Sequence, residues 1–469
     1  MLFSSVQFLF FFLPLTLALY YVLPKKCRNL VLAAVSLLFF LWSALRYAAM
    51  LVLFAAFNWC AGLLLQRYRS VKPLLGFTVG VDLALLLYFK YAGFFAQSIN
   101  SVLSTQLPIV QLALPLGISF YVFVAVGYCI DVALGRIEAE KNPVRFFVFL
   151  AFFGHGPSGP IVQYTHQQPM LAVDAPARKV DVARFCYGIK RFSYGLAKKA
   201  LIADQLGYTY ARITSVSAEK IPGFILLVGY AMYLMQLYFD FSGYSDMAVG
   251  LGEMLGLRMP ENFKYPYQSA TVGEFWRRWH ITLSDWFQTY VYFPLGGSRC
   301  SMAKTCRNLL IVFALTGLWH GAAWNYVVFG LYHGVLLCIE RLFLRRWLQT
   351  KPKFIGHCYT MLAVYFGFIM FGAPGFEQGI AAIRGILTMQ PGAAGMTMAA
   401  FMSLKQWLIF AVACVLCGPL QAIFPKMKAC MTEQAPPKAA EMLLILVLLF
   451  LGIASVSAGN YQAFIYFQF

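Results

Sequence analysis

The sequence predicts an all-α, polytopic membrane protein, and three observations predict it. Apolar residues make up 61% of the 469 positions and charged residues only 12%, whereas a soluble domain is about a quarter charged. The mean hydropathy is +0.69. Apolar windows of about 17–25 residues, long enough to cross the hydrocarbon layer as helices, recur along the chain.

These windows are 6–23, 29–44, 47–66, 73–91, 112–133, 222–240, 307–342 as a broken pair, 357–373, 405–423 and 441–459. They imply roughly 10–12 crossings. The first, Val6 to Leu23, is followed by Lys25, Lys26 and Arg28 and by no small-residue cleavage pattern. It is therefore expected to stay as a span. Basic loops at Lys25–Arg28, Arg67–Lys72 and Arg136–Arg145 face the cytoplasm under the positive-inside rule. A further basic loop, Lys426–Lys438, puts residues 460–469 on the opposite side, so both termini are expected to be extracytoplasmic.

A net charge of +19 raises the question of nucleic acid. The Lys and Arg residues, however, lie in short clusters between apolar runs, and the bilayer is the partner they predict. Eleven cysteines are scattered; Cys414 and Cys417 sit mid-span without a second ligand pair, so they read as core residues rather than a metal site. No repeat or low-complexity tract divides the chain. One integral membrane domain over 1–469 is expected, with peripheral helices at about 1–135, a core at about 145–345 and C-terminal helices at about 355–469.

Two stretches break the pattern. Gly154-His-Gly-Pro-Ser-Gly-Pro160 is too apolar for an ordinary loop and too rich in breakers for a helix. Irregular backbone at membrane depth persists only where protein or a water-filled cavity covers it, which predicts a broken or re-entrant segment. The second stretch, 240–310, joins Asp240-Phe-Ser-Gly-Tyr-Ser-Asp246 to Pro294-Leu-Gly-Gly-Ser-Arg299.

Chemistry concentrates on two of the six histidines. His320 lies between Leu309–Leu318 and Val327–Leu337, runs without a single Asp, Glu, Lys or Arg. A neutral imidazole there can take a proton from a hydroxyl, as a general base for acyl transfer must, or can donate to a backbone carbonyl as a core residue. His280 lies in 274–291, where Phe275, Trp276, Trp279, Leu283, Trp286 and Tyr290 form one stripe of a predicted helix, with Arg277, Arg278, Asp285 and Gln288 opposite. That segment reads either as an interfacial anchor or as one wall of a polar cavity. His333 would stand roughly 20 Å from His320 on an unbroken helix and is assigned a structural role, as are His155, His166 and His357. No HExxH, P-loop or Gly-x-Ser-x-Gly occurs, so neither a metal nor a serine acyl-enzyme is expected.

At these residues the chain resembles the membrane-bound O-acyltransferase family, and more closely its bacterial branch typified by alginate O-acetyltransferase. The resemblance rests on Tyr238-Phe-Asp-Phe-Ser-Gly-Tyr-Ser-Asp-Met247, Asn262-Phe-Lys-Tyr-Pro-Tyr267, Glu274-Phe-Trp-Arg-Arg-Trp-His-Ile-Thr-Leu-Ser284, Tyr292-Phe-Pro-Leu-Gly-Gly297 and Leu318-Trp-His-Gly321, in order. It extends from the Leu2-Phe-Ser-Ser start to the Phe464-Ile-Tyr-Phe-Gln-Phe end. It implies helices around a central tunnel, a catalytic histidine at His320 and a second polar position at His280. Trp276, Trp279 and Trp319 are expected around the substrate. Asp240, Ser242 and Tyr244 are expected either to line the cavity or to form ion-pair architecture.

Acetyl-CoA is the donor this implies, with Arg277, Arg278, Lys264 and Arg299 as candidates for its phosphates or as topogenic charges. The acceptor implied is an extracytoplasmic partner acetyltransferase serving a polysaccharide or cell-wall glycan, from a protein in the bacterial inner membrane. The rival expectations are D-alanyl transfer to teichoic acid, as in a sister branch, and a transporter or flippase.

Overall fold

Apolar windows become helices almost one for one. The computed structural model describes residues 1–42, 44–109, 112–424, 438–459 and 464–465. In chain order the helices are α1 (Leu13–Val22), α2 (Arg28–Leu41), α3 (Leu45–Arg67), α4 (Lys72–Leu103), α5 (Ile118–Ala133), α6 (Pro143–Ala151), α7 (Tyr164–Leu171), α8 (Val182–Ala197), α9 (Asp204–Thr214) and α10 (Gly223–Leu255). They continue as α11 (Val272–Trp276), α12 (Ile281–Phe287), α13 (Met302–His320), α14 (Trp324–Ile339), α15 (Arg345–Gln349), α16 (Lys353–Gly372), α17 (Phe376–Leu387), α18 (Met398–Phe401), α19 (Leu404–Leu416), α20 (Pro419–Ile423) and α21 (Ala439–Ser457). Among the described residues no strand occurs.

Among the described residues, seven stretches are long and apolar enough to cross a membrane: Leu45–Arg67, Lys72–Leu103, Gly223–Leu255, Trp324–Gln349, Lys353–Gly372, Leu404–Ile423 and Ala439–Ser457. Phe8–Val22 and Ile118–Ala133 are shorter apolar helices. The chain is a multi-pass membrane protein. The count falls below the ten to twelve windows because several of them, such as 29–44, fold into helices too short for a full span. The basic loop Lys426–Lys438 and the run 460–469, on which the expected C-terminal side rests, fall almost entirely outside the described residues.

Local signals explain the ends. Pro24 stops the first helix and Pro73 opens α4 in its first turn, where no backbone donor is needed. Asn142 Oδ1 accepts from Val144 N at 2.9 Å and Arg145 N at 3.1 Å, with Pro143 in the first turn of α6. Ser403 and Gln406 form a capping box at α19.

The residues divide into two compact units, Met1–Ser193 with Tyr244–Pro260 and Gln434–Ile445, and Tyr194–Gly243 with Glu261–Glu433 and Leu446–Phe469. In the first, α2 packs on α3 and α6, and α5 on α3 and α4. Phe8, Phe12, Phe39 and Phe153 interlock at ring-centroid distances of 5.2–6.3 Å. The breaker-rich stretch after α6 is irregular and fully buried from Phe152 to Val162. Its non-helical backbone is thus covered by protein, as the sequence required. Arg178, wholly buried, donates to Tyr20 Oη, Met170 O and the Asn29 side chain. Arg184–Glu253 and Arg191–Asp246, both at 2.5 Å, pair further buried charge.

In the second unit α13 and α14 form a tight antiparallel pair, with only Gly321, Ala322 and Ala323 between them. The pair closes on small residues: a Cβ at Gly330 would strike the Phe313 carbonyl, and one at Gly317 the Tyr326 carbonyl. Helix α14 packs in turn on α16, and α16 on α17.

Candidate functional site

The expected helix over 274–291 is broken, and the break falls at His280. Helix α11 ends at Trp276, α12 starts at Ile281, and between them His280 takes the left-handed conformation, φ 45° and ψ 54°. A side chain there is strained, and such residues persist only where their surroundings over-determine them. The surroundings come from residues 262–264. Ile281 N donates to Asn262 O at 3.0 Å, and Lys264 N to Arg278 O at 2.9 Å. The Asn262 side-chain oxygen accepts from Thr282 N at 3.2 Å and Thr282 Oγ1 at 3.0 Å. The apolar stripe survives the break: Phe275, Trp276, Trp279, Leu283, Trp286 and Tyr290 are all buried.

A cavity of about 350 Å³ opens beside the break. Trp276, Arg277, His280 and Ser284 line it from α11, α12 and the turn between them. Leu309, Val312, Phe313 and Thr316 of α13 line it too, with Glu340, Arg341 and Arg345 beyond the end of α14. His320 is four residues after Thr316 and continues that face of α13. It is the last residue of the helix, 1% exposed, with its ring 5.0 Å from Phe371 and 6.1 Å from Phe329.

Trp319 joins the two histidines. Its ring centroid is 5.8 Å from that of His280 and 5.1 Å from that of His320. His280 is 1% exposed and also meets Phe241 edge-on at 4.6 Å. It lies outside the apolar spans, and burial pushes its imidazole down to about 3, so the ring is neutral at working pH. Its Nδ1 is 3.2 Å from Asn262 Oδ1.

The remaining predicted residues have other surroundings. Trp279 stacks on Phe275 at 5.5 Å and meets Phe263 and Phe368 at 5.1 and 5.2 Å. Arg278 pairs with Glu274 at 2.7 Å. Lys264, Arg278 and Arg299 are not among the cavity's lining residues. Asp240 lies 2.7 Å from Lys199 Nζ, which also meets Asp204 at 2.8 Å, and accepts from Ile465 N at 2.7 Å. Ser242 is buried in the same helix. Tyr244 belongs to the first unit, stacked on Phe3 at 4.8 Å. His333 is held by Phe329 O at 3.0 Å and packs against Trp276 at 5.1 Å.

Three cavity residues escaped the sequence reading. Glu340 accepts from the backbone of Val272 at 2.5 Å and Gly273 at 3.0 Å, the first N–H groups of α11. Arg341 and Arg345 bring the cavity's guanidinium groups, with Arg277, to three. The available signal was an acidic and two basic residues spaced at a helical turn just past an apolar span. Among the described residues no group of three His, Cys, Asp or Glu side chains converges to hold a metal ion. The arrangement suits an anionic molecule entering past arginines toward buried imidazoles.

Several known proteins resemble the chain. The chain is 40% identical over 388 residues, 80% of its length and 76% of the relative's, to a probable alginate O-acetylase of Azotobacter vinelandii. It is 31% identical to a peptidoglycan O-acetyltransferase of Helicobacter pylori, over 82% of its own length and 80% of the relative's. It is also 31% identical to a teichoic acid D-alanyltransferase of Bacillus subtilis, over 56% of its length and 70% of the relative's. Residues 139–379, which contain both histidines and the cavity, match the membrane-bound O-acyltransferase family. The chain belongs to that family and is an O-acyltransferase.

Proposed function

We propose that the protein moves an acetyl group from cytoplasmic acetyl-CoA to an acceptor hydroxyl on the far side of the bacterial inner membrane, for O-acetylation of an extracytoplasmic polysaccharide or cell-wall glycan. A partner acetyltransferase outside the membrane receives the group and passes it on. His320 takes the proton of the acceptor hydroxyl as its oxygen attacks the thioester carbonyl. The carbon–sulfur bond breaks, and the proton passes to the departing CoA thiolate. His280 orients the hydroxyl before attack, accepting its hydrogen bond as the acceptor enters and releasing it as the O–H turns to His320. Arg277, Arg341 and Arg345 hold the donor's phosphates at the cavity mouth, which places that mouth on the cytoplasmic side. Both termini are extracytoplasmic in this arrangement.

The observation that supports the reading is the cavity itself, lined by three arginines and His280, with Trp319 touching both imidazoles. The longer coverage of both O-acetyltransferase relatives, and the higher identity of the alginate one, favour acetyl over D-alanyl transfer. The experiment is label transfer and CoA release from radiolabelled acetyl-CoA by purified wild type, His320→Ala and His280→Ala. Undiminished turnover in a folded His320→Ala protein overturns the assignment of the base. Labelling of a cysteine beside Arg277 from outside the cell overturns the direction of donor entry.

A further inference from the structure

We propose that Asn262 is a positioning residue of the acyl-transfer site, fixing His280 in the tautomer that carries its proton on Nδ1 and leaves the Nε2 lone pair for a substrate hydroxyl. This rests on the role given to His280 above and adds what sets it. The Asn262 Oδ1 atom gathers three groups: Thr282 N at 3.2 Å, Thr282 Oγ1 at 3.0 Å and His280 Nδ1 at 3.2 Å. A backbone N–H can only donate, so the atom facing Thr282 N is the amide oxygen and not the amide nitrogen. An amide oxygen can only accept, so the imidazole nitrogen beside it must carry the hydrogen. A neutral imidazole has one N–H, and Nε2 is then the accepting nitrogen.

The same residue holds the ring's backbone. Its carbonyl accepts from Ile281 N at 3.0 Å, immediately after the left-handed His280. Asn262 is 1% exposed, which keeps bulk solvent from these bonds. One side chain therefore sets where the imidazole sits, how it is turned and which nitrogen is basic. An acceptor-only Nε2 suits an incoming O–H and is unsuited to an oxyanion, so His280 works on the hydroxyl before attack.

The test is the pH profile of kcat/KM for CoA release by the full-length protein, for wild type, Asn262→Asp, Asn262→Ala and His280→Ala. The charged groups sharing the cavity with His280 are Arg277, Glu340, Arg341 and Arg345. Glu261 and Lys264 flank Asn262, Asp285 follows on α12, and Asp240 precedes Phe241 on α10, paired with Lys199. None of them changes between the variants. A carboxylate at 262 keeps the acceptor and favours the imidazolium, so the acid limb of Asn262→Asp moves up by about one pH unit or more, with activity recovered at high pH. Asn262→Ala loses kcat by at least about tenfold at every pH while the donor KM stays within about twofold.

A merely structural role gives Asn262→Asp and Asn262→Ala a parallel loss with no displaced limb, and that result overturns the proposal while leaving an inactive His280→Ala intact. Full activity in His280→Ala overturns the role of His280 itself. Nitrogen-15 spectra of histidine-labelled wild type, with the resonances assigned by His280→Asn, need no folded Asn262 variant. They are expected to show the Nδ1–H form, and an Nε2–H form refutes the proposal.

Discussion

The His280 imidazole meets the Trp319 indole at an interplanar angle of 68° with centroids 5.8 Å apart, and the neighbouring His320 ring lies 5.1 Å from the same indole. The indole is therefore the spacer between two imidazoles on separate elements. Removing it in Trp319→Ala is expected to lower kcat by about a hundredfold, and Trp319→Phe, which keeps a ring, by less than about tenfold. Because the three rings act as a unit, the double variant Trp319→Ala/His280→Ala is expected to be little worse than the poorer single one. Full additivity in steady-state kinetics would show that the spacer has no such role.

Arg341 and Arg345 are exposed at the cavity. If they hold donor phosphates, Arg341→Gln and Arg345→Gln raise the donor KM by about tenfold each with kcat little changed, and added salt narrows the gap to wild type. Competition by free CoA, read from the same assay, should weaken in parallel.

Glu340 satisfies two N–H groups at the start of α11 and is 4% exposed. Glu340→Ala strands both donors and is expected to cost about 2 kcal/mol or more, whereas Glu340→Gln, which keeps one acceptor, costs less. Melting of the two variants in detergent should separate them in that order. Since α11 leads into His280, the alanine variant should also lose activity below its melting range.

Stability should depend on pH through His280. Its folded pKa, about 3, is lowered from the ordinary 6.5 by burial. Between those values the unfolded chain binds a proton that the native ring refuses. The contribution is thus fully present above the ordinary value and is lost as pH falls toward the folded one. Melting temperature should drop between about pH 7.5 and about pH 5, and His280→Asn should flatten the decline. An equal slope in both proteins would assign the dependence to other groups.

Lys199 sits between Asp204 and Asp240, each of the three about 2% exposed at the side chain. Lys199→Met leaves two buried carboxylates without their cation and is expected to cost about 3–5 kcal/mol. Asp240→Asn, which keeps an acceptor for Ile465 N, should be milder. The comparison of expression and melting tests whether Asp240 serves architecture: a milder lysine variant would argue against it.

Most of the fold was legible because bilayer thickness imposes helix length directly on composition: the window at 47–66 falls within the helix formed there, and those at 222–240 and 441–459 overrun theirs by only one and two residues. The α13–α14 break was legible too, since small residues interrupt an otherwise uniform apolar run. The break at His280 was not. Residues 274–291 carry a helical stripe and no glycine or proline, and what interrupts them is Asn262, 18 positions upstream. Local periodicity carries no trace of a hydrogen bond made by a distant loop. Glu340 was hidden for the same reason, its role being defined by the backbone of Val272 and Gly273 rather than by its neighbours in sequence.

Two of the walls around the cavity contain a widened, π-type turn, at Gln288–Tyr292 and at Glu340–Leu344. Such a turn holds one residue more than an α-helical turn would. Substitutions within these turns change a side chain but keep the surplus. Excising a single residue from 341–344 should let the turn close to α-helical winding with Glu340 and the helix beyond it left in place, whereas the same excision from an α-helical stretch would swivel everything beyond it by about 100°. The surplus residue between the carboxylate that braces α11 and the guanidinium at the mouth is thus taken up in the winding of the chain.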